Sequence, residues 1–553
     1  MIAAHKVFNK KNLILAIIIM LQLFVLLYYM GEKSGFHIDE LWSFGLANSY
    51  DETYFYPKGF TPDFENVQYH KWISGTRFFE YLTVQKNEQF AFEKVYENQA
   101  NDVHPPFYYC VMHIICSLFT DSFSKWYGLF LNLICFVLSQ VVLFKVSSLL
   151  LKSHEPALLV CLLYGLGMGA INNFVFIRMY SLMTFLFIFA VYIHLRLLIR
   201  PNIKRIIIAA CLTFFSGLVH YHFLIFQFFV SLIMCFIFLF NKSYKLLISY
   251  AFAIVLGVAG IFIYFPPAYF HMFHSVRGAE AVNGFLFVST EKYYLLFNNS
   301  LKYIFGIPES LSLPISLSLA DILFYVCVIF LACIMFRFNS FGYKVISYLK
   351  TDSDKILAFL PVLFFSLLIS PMISPEIGVF EGRYFFPIFP LVCVFSVSLI
   401  SYLLKKTLKT SKHDFVLTIL IFVFCISSHL VDNGDYVLGP THQFNRGLLK
   451  KTVANSNCVF FAVQDYYIHS VSDLFMFSKK VLPARYKDEE LILTLREIAG
   501  LNEEENNLLM IPDTFVAEPV LKAIDLTTKF KSDYLFKAVN HMDTYSLYRL
   551  SLK

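Results

Sequence analysis

An α-helical polytopic membrane protein is the fold class this chain predicts, on three observations. Hydrophobic residues make up 58% of its 553 residues and charged residues 15%, against about 45–50% and about 25% in a soluble domain. Mean hydropathy is +0.61. The apolar residues also fall in runs approaching the roughly 20 residues that cross a bilayer as helix. Together these exclude an ordinary soluble enzyme and a disordered chain. The 64 Phe and 34 Tyr suit a lipid-facing surface with rings at its edges.

In order, the apolar runs are 13–30, 126–151, 156–172, 179–198, 206–218, 223–240, 246–265, 319–336, 356–370, 384–404 and 415–430, which predicts about eleven spans. The first follows Lys6, Lys10 and Lys11 and has no small-residue cleavage site after it, so it reads as a retained signal anchor. A cytoplasmic N-terminus puts five basic turns on one side. They carry Lys145 and Lys152; Arg196, Arg200, Lys204 and Arg205; Lys242 and Lys245; Arg337, Lys344 and Lys350; and Lys405, Lys406, Lys409 and Lys412. That side is then cytoplasmic by the positive-inside rule. The register requires residues 104–120 to lie as a helix at the outer interface rather than cross. The formal charge of +6 is therefore an orientation signal, and no nucleic-acid partner is expected.

Three regions fall outside the membrane in this reading: 31–103, 266–314 and the segment from 431 to 553. The last has only short apolar runs, at 458–463, 491–495, 508–511 and 545–550, and predicts a small extracytoplasmic α/β domain. The division is then a transmembrane domain over 1–430, with a first outer loop and its interfacial helices over 31–125, and a C-terminal domain over 431–553. Most of the eleven cysteines, Cys135, Cys161, Cys211 and Cys235 among them, sit in apolar runs as small apolar residues. Cys458 is alone in the polar C-terminal part. There is no CxxC pair, Walker loop, GxGxxG or internal repeat.

Ionisable residues at a membrane boundary are costly and point to function. Asp39-Glu40 lies just beyond the outer end of the first span. Adjacent residues on a helix point about 100° apart, so one carboxylate can face a cavity while the other takes a structural partner. A partly desolvated carboxylate can have its pKa raised toward the range of a general base; an interfacial pair held by water is the plainer alternative. In Asn101-Asp102-Val103-His104-Pro105-Pro106, the prolines make a rigid helix entry. His104 can bind an anion there or hold a tautomer against Asp102; it can equally be incidental to a cap. Arg178, in Phe176-Ile177-Arg178-Met179-Tyr180, can snorkel or clamp a phosphate with forked donors. His220-Tyr221-His222 points its imidazoles to nearly opposite sides if helical, and could share a divalent cation only if extended. Arg383, in Glu381-Gly382-Arg383-Tyr384, can pair with Glu381, snorkel or meet an anionic ligand.

In this order the motifs Asp-Glu, His-Pro-Pro-Phe-Tyr-Tyr, Arg-Met-Tyr-Ser-Leu, His-Tyr-His and Gly-Arg-Tyr-Phe-Phe-Pro resemble membrane glycosyltransferases of the GT-C superfamily. The similar branch is the bacterial one related to dolichyl-phosphate-mannose–protein mannosyltransferases and the lipid A aminoarabinose transferase. The resemblance covers about residues 1–430. It implies transfer of a sugar from a polyprenyl-phosphate donor to a glycan, lipid or protein acceptor on the extracytoplasmic side of the plasma membrane, usually with inversion. It further implies Asp39 as the catalytic carboxylate with Glu40 as its companion. By the same resemblance His104 sits near the donor phosphate, and Arg178 and Arg383 are candidates for phosphate or sugar contact; Asp102, Tyr180, His220 and His222, from the same stretches, are further candidates for the donor phosphate and sugar site. No cofactor is firmly implied; a divalent cation stays open.

Two departures narrow the branch. Leu41-Trp42-Ser43 follows the acidic pair where the aminoarabinose transferases carry Arg-Tyr. No outer loop is long enough for the β-trefoil of eukaryotic protein mannosyltransferases. The competing readings are a polymerase or ligase of polyprenyl-linked glycans, a transporter or flippase, and a non-catalytic scaffold. A transporter would show broken helices and inverted repeats at the midplane.

Overall fold

A computed structural model describes residues 10–50, 69–275, 278–281, 283, 293, 297–298, 300–307, 353–372, 382–407, 413–432, 445–462, 465–485, 488–539 and 544–553. The expected span 319–336, the turn with Arg337, Lys344 and Lys350, and Lys6, Glu381, Lys409 and Lys412 lie outside these residues.

The first helix, α1 (Lys10–Glu32), is apolar from Leu13 to Met30 apart from the buried Gln22 and a Tyr28-Tyr29 pair near its end. The loop after it folds into four short helices: α2 (Ile38–Asn48), α3 (Gly75–Leu82), α4 (Phe92–Ala100) and α5 (Phe107–Ser117). At about 1.5 Å per residue, the 11 residues of α5 are too short for a bilayer core of about 30 Å. Helix α2 packs so closely on α3 that a Cβ at Gly45 would run into the Tyr81 ring.

The bundle continues with α6 (Lys125–Leu151), α7 (His154–Leu166), α8 (Met168–Val175), α9 (Tyr180–Ile199), α10 (Ile203–Gly217), α11 (His222–Phe240), α12 (Tyr244–Tyr264) and the short α13 (Pro267–Phe273). It closes with α14 (Ser353–Met372), a 3₁₀ turn over Gly382–Ile388 leading into α15 (Phe389–Thr407), and α16 (His413–Val431). Eight described helices are long and apolar enough to cross a membrane: α1, α6, α9, α11, α12, α14, α15 with its 3₁₀ turn, and α16. The chain is an α-helical, multi-pass membrane protein.

Eight of the eleven expected runs coincide with these helices. The run 156–172 is instead a pair, α7 and α8, bent by 56° at Gly167. The run 206–218 is a helix of 15 residues, short for a crossing. The break after α8 leaves extended backbone inside the bundle, and buried peptide groups need partners. Asn132 of α6 supplies them, donating to the carbonyls of Phe174 (2.8 Å) and Phe176 (2.9 Å).

Alternation of the helices sorts the turns onto two ends. At one end lie the C-terminus of α1, the α8–α9 junction, the α10–α11 junction, the C-termini of α12 and α14, and the start of α15. The opposite end carries Lys145, Lys152, Arg196 to Arg205, Lys242, Lys245, Lys405 and Lys406, mostly exposed.

Beyond α16 the chain forms helices α17 (Arg446–Val453), α18 (Ser472–Phe475), α19 (Asp488–Ala499) and α20 (Ala517–Thr527), with a mixed six-stranded sheet. The strands are β1 (Ile73–Ser74), β2 (Asn457–Phe461), β3 (Lys480–Ala484), β4 (Asn507–Pro512), β5 (Phe530–Val539) and β6 (Thr544–Leu552), in spatial order β1-β3-β2-β4-β6-β5. Strands β3, β2 and β4 are parallel, with Val459 opposite Leu482 and Leu509; the others pair antiparallel. β1 comes from the first loop and caps the sheet edge. Side chains alternate across a strand. Thus Cys458 and Phe460 join the core shared with the bundle, while Val459 and Phe461 pack under α19 and α20.

Candidate functional site

The site grows from the start of α2. His37 is its N-cap: His37 Nδ1 accepts from the Asp39 amide (3.0 Å), and the His37 amide donates to Glu40 Oε2 (2.7 Å). This reciprocal capping box fixes which way each carboxylate points. Glu40 turns inward and is fully buried. Its Oε2 pairs with Lys33 Nζ at 2.8 Å, and its Oε1 accepts the Ile177 amide at 2.8 Å. Glu40 thus satisfies the broken backbone after α8. The expected catalytic companion of Asp39 lies outside the cavity and acts as a brace.

Asp39 faces the other way, into a cavity of about 310 Å³. Its Oδ2 accepts from Arg383 Nη1 at 2.5 Å. Arg178 Nη1 donates to the Asp39 carbonyl and to Ser43 Oγ, both at 3.1 Å. Burial by itself would raise the Asp39 pKa; Arg383 first, then Arg178, outweigh it and hold the carboxyl well below the usual range. The expected upward shift is therefore reversed: Asp39 is a fixed carboxylate. Arg178 does not snorkel, being only 4% exposed.

Asp102 and His104 stand beside this pair, with His104 Nδ1 2.8 Å from Asp102 Oδ2. Asp102 is buried, which alone would raise its pKa; His104, and then Arg178, bring it below the ordinary value. The imidazole of His220 stands 6.0 Å from that of His104 and 4.4 Å from that of His222. The two were expected to diverge on a helix. They meet because α11 begins only at His222, and the His222 amide donates to His220 Nδ1 at 3.1 Å. Burial pushes the His220 imidazole well below its ordinary pKa, so it is neutral. Tyr180 and Tyr384 close this wall, ring centroids 5.7 Å apart.

The cavity thus gathers Asp39, Asp102, His104, Arg178, Tyr180, His220, His222 and Arg383, every sequence-derived candidate except Glu40. His222 Nδ1 is buried and has no hydrogen-bond partner among the described residues. Among those residues no group of three or more His, Cys, Asp or Glu could hold a metal ion, so the divalent cation left open by the His pair finds no ligand set there.

Two lining residues were missed from sequence. His271 of α13 is 3% exposed, bonds Tyr221 Oη at 2.9 Å, and is pushed down to about 4 by burial. Its signal was an imidazole in an aromatic helix opening with Pro-Pro. Trp42 lines the cavity and meets His469 of the C-terminal region edge-on at 6.1 Å.

Comparison with known proteins adds no assignment: no protein-family model matches the chain, and no curated protein matches it.

Proposed function

We propose that the chain is a glycosyltransferase that moves a sugar from a polyprenyl-phosphate donor to an acceptor on the extracytoplasmic face of the plasma membrane, in cell-envelope glycan or glycoconjugate synthesis. The reading includes a GT-C type transmembrane domain of about eleven spans, a cytoplasmic N-terminus and an extracytoplasmic C-terminal α/β domain. One observation carries it: a buried carboxylate, Asp39, shares a cavity at one end of the bundle with two arginines and four imidazoles.

The chemistry follows from the charges. An acceptor hydroxyl attacks the anomeric carbon, a carbon–oxygen bond forms, and the bond from that carbon to the phosphate oxygen breaks. Its electron pair leaves with the polyprenyl phosphate. Arg383 and Arg178 offer forked donors for that growing charge, and stabilisation of developing charge is often the largest catalytic contribution. Asp39, already ionised, accepts a hydrogen bond from the acceptor hydroxyl. The proton passes to Asp39 late, once the hydroxyl is acidified by bond formation. Arg383 is engaged by Asp39. The donor phosphate must share that cation, so donor binding and exposure of the carboxylate are linked.

The test is a transfer assay in nanodiscs with a panel of polyprenyl-phosphate sugars. The expected result is release of free polyprenyl phosphate by the native protein and none by Asp39→Asn. Equal release by both proteins would remove Asp39 from the reaction.

A further inference from the structure

A second cleft, of about 320 Å³, opens on the same end of the molecule and shares no residue with the cavity. It lies between the α1 and α6 ends and the C-terminal region, and its walls include Lys33, Lys125, Trp126, Arg446, Lys450 and Phe477. Four of those six are cationic. Two are compensated: Lys33 by Glu40 at 2.8 Å, and Arg446 by both oxygens of Asp473, at 2.6 and 2.5 Å. The other two are not held by a carboxylate at ion-pair distance, although Glu32 acts on Lys125 from farther away. Lys125 donates to the carbonyls of Gly31 (2.9 Å) and Lys33 (2.6 Å), which carry dipoles but no charge. Lys450 lies over the Phe477 ring at 4.2 Å. Neither has an ion-pair partner among the described residues. The cleft therefore holds excess positive charge contributed from both sides, one lysine from the bundle and one from the C-terminal region.

Its depth in the bilayer follows from its neighbours. Lys125 begins α6, and Trp126 beside it is 42% exposed. Leu118 and Phe119, just before, are 65% and 50% exposed. Large exposed apolar rings next to lysine mark the headgroup level of a membrane. Below Trp126, at four-residue spacing on the same face of α6, Phe130, Ile134 and Leu138 are also exposed. An apolar track thus descends from a basic cleft.

We propose that this cleft binds the phosphate of an anionic membrane lipid between Lys125 and Lys450, with the acyl chains along the α6 track. The bound lipid bridges the bundle and the C-terminal region. This inference does not rest on the sugar-transfer reading, since the cleft and the cavity are lined by different residues.

The experiment titrates the full-length protein in detergent with phosphatidylglycerol, phosphatidylcholine and inorganic phosphate, and reads retained ligand by native mass spectrometry. Two lysines at headgroup level support a preference for phosphatidylglycerol over phosphatidylcholine of roughly tenfold or more. Lys125→Gln with Lys450→Gln is expected to abolish it, and Lys450→Gln alone, at an exposed position, to weaken it by roughly fivefold. Lys145→Gln with Lys242→Gln, at the opposite end, is expected to leave it intact. An unchanged preference in Lys450→Gln and in the double variant overturns the proposal. So does displacement of phosphatidylglycerol by equimolar inorganic phosphate, which would mean a site for free phosphate rather than lipid.

Discussion

The two ends of the helical bundle use the same kinds of residue in opposite ways. At one end, Lys145, Lys152, Arg200, Lys204, Lys242 and Lys245 stand in short turns or the helix ends beside them, exposed and spread apart. At the other, Arg178 and Arg383 are held against Asp39, and Lys33 against Glu40. An exposed ion pair contributes little and is screened, whereas breaking a buried one leaves an uncompensated charge. Position in the bundle, not residue type, separates scattered exposed charge from a buried cluster.

The contrast can be broken first at Asp39. In the transfer assay Asp39→Asn is expected to lower turnover by about 10³-fold or more, as loss of a proton acceptor does, while leaving the protein inserted and folded. Glu40→Gln should do the reverse. It leaves Lys33 buried without its carboxylate, which costs about 3 kcal/mol of stability, read by thermal unfolding in detergent, with some turnover surviving in the folded fraction. If Glu40→Gln instead abolished turnover at unchanged stability, the brace and the catalytic carboxylate would have to be exchanged.

Arg383→Ala is expected to cut turnover by about 10²-fold and to shift the pH profile. Arg383 is the largest influence lowering the Asp39 pKa. Its removal raises that pKa, so the acid limb of kcat/KM moves to higher pH. An acid limb that stays in place would detach Arg383 from Asp39 in the proposed reaction.

The imidazoles offer a smaller effect. His271 has its folded-state pKa depressed to about 4 from an ordinary 6.5. The unfolded chain therefore takes up the proton first, and this residue's contribution to stability falls as pH drops from about 6.5 to about 4. His271→Gln should flatten the melting temperature over that window. Smallest of all, Lys242→Gln at the far end should change turnover by less than about twofold.

Much of the bundle was legible because apolar runs of membrane length leave little choice of structure. The 56° break at Gly167 was not, since the run 156–172 is apolar almost throughout; nor was the break after α8, whose carbonyls are met by Asn132 on another helix. In the site, polar residues at span ends were the signal, and all of the candidates but Glu40 converge on one cavity. That signal could not separate Asp39 from Glu40. The choice is made by the Ile177 amide, 137 residues away from Glu40, and by Arg383, 344 residues away from Asp39. The same distant arginine reverses the pKa shift that burial alone would give. Strand β1, two residues long, carries no readable pattern and exists only because β3 is there to pair with it.

That two-residue strand sets an order of events during synthesis. His70 meets Thr494 and Trp72 meets Glu497, partners 424 and 425 residues later in the chain. A ribosome delivers residues at about 5–20 per second, so the first loop waits tens of seconds for the strand and helix that hold it. Through that interval the wall that Trp42 shares with His469 is unbuilt. The residues that line the cavity run only as far as Tyr384, so its lining is synthesised first, and Trp42 gains its His469 backing, and the first loop its strand partner, only afterwards.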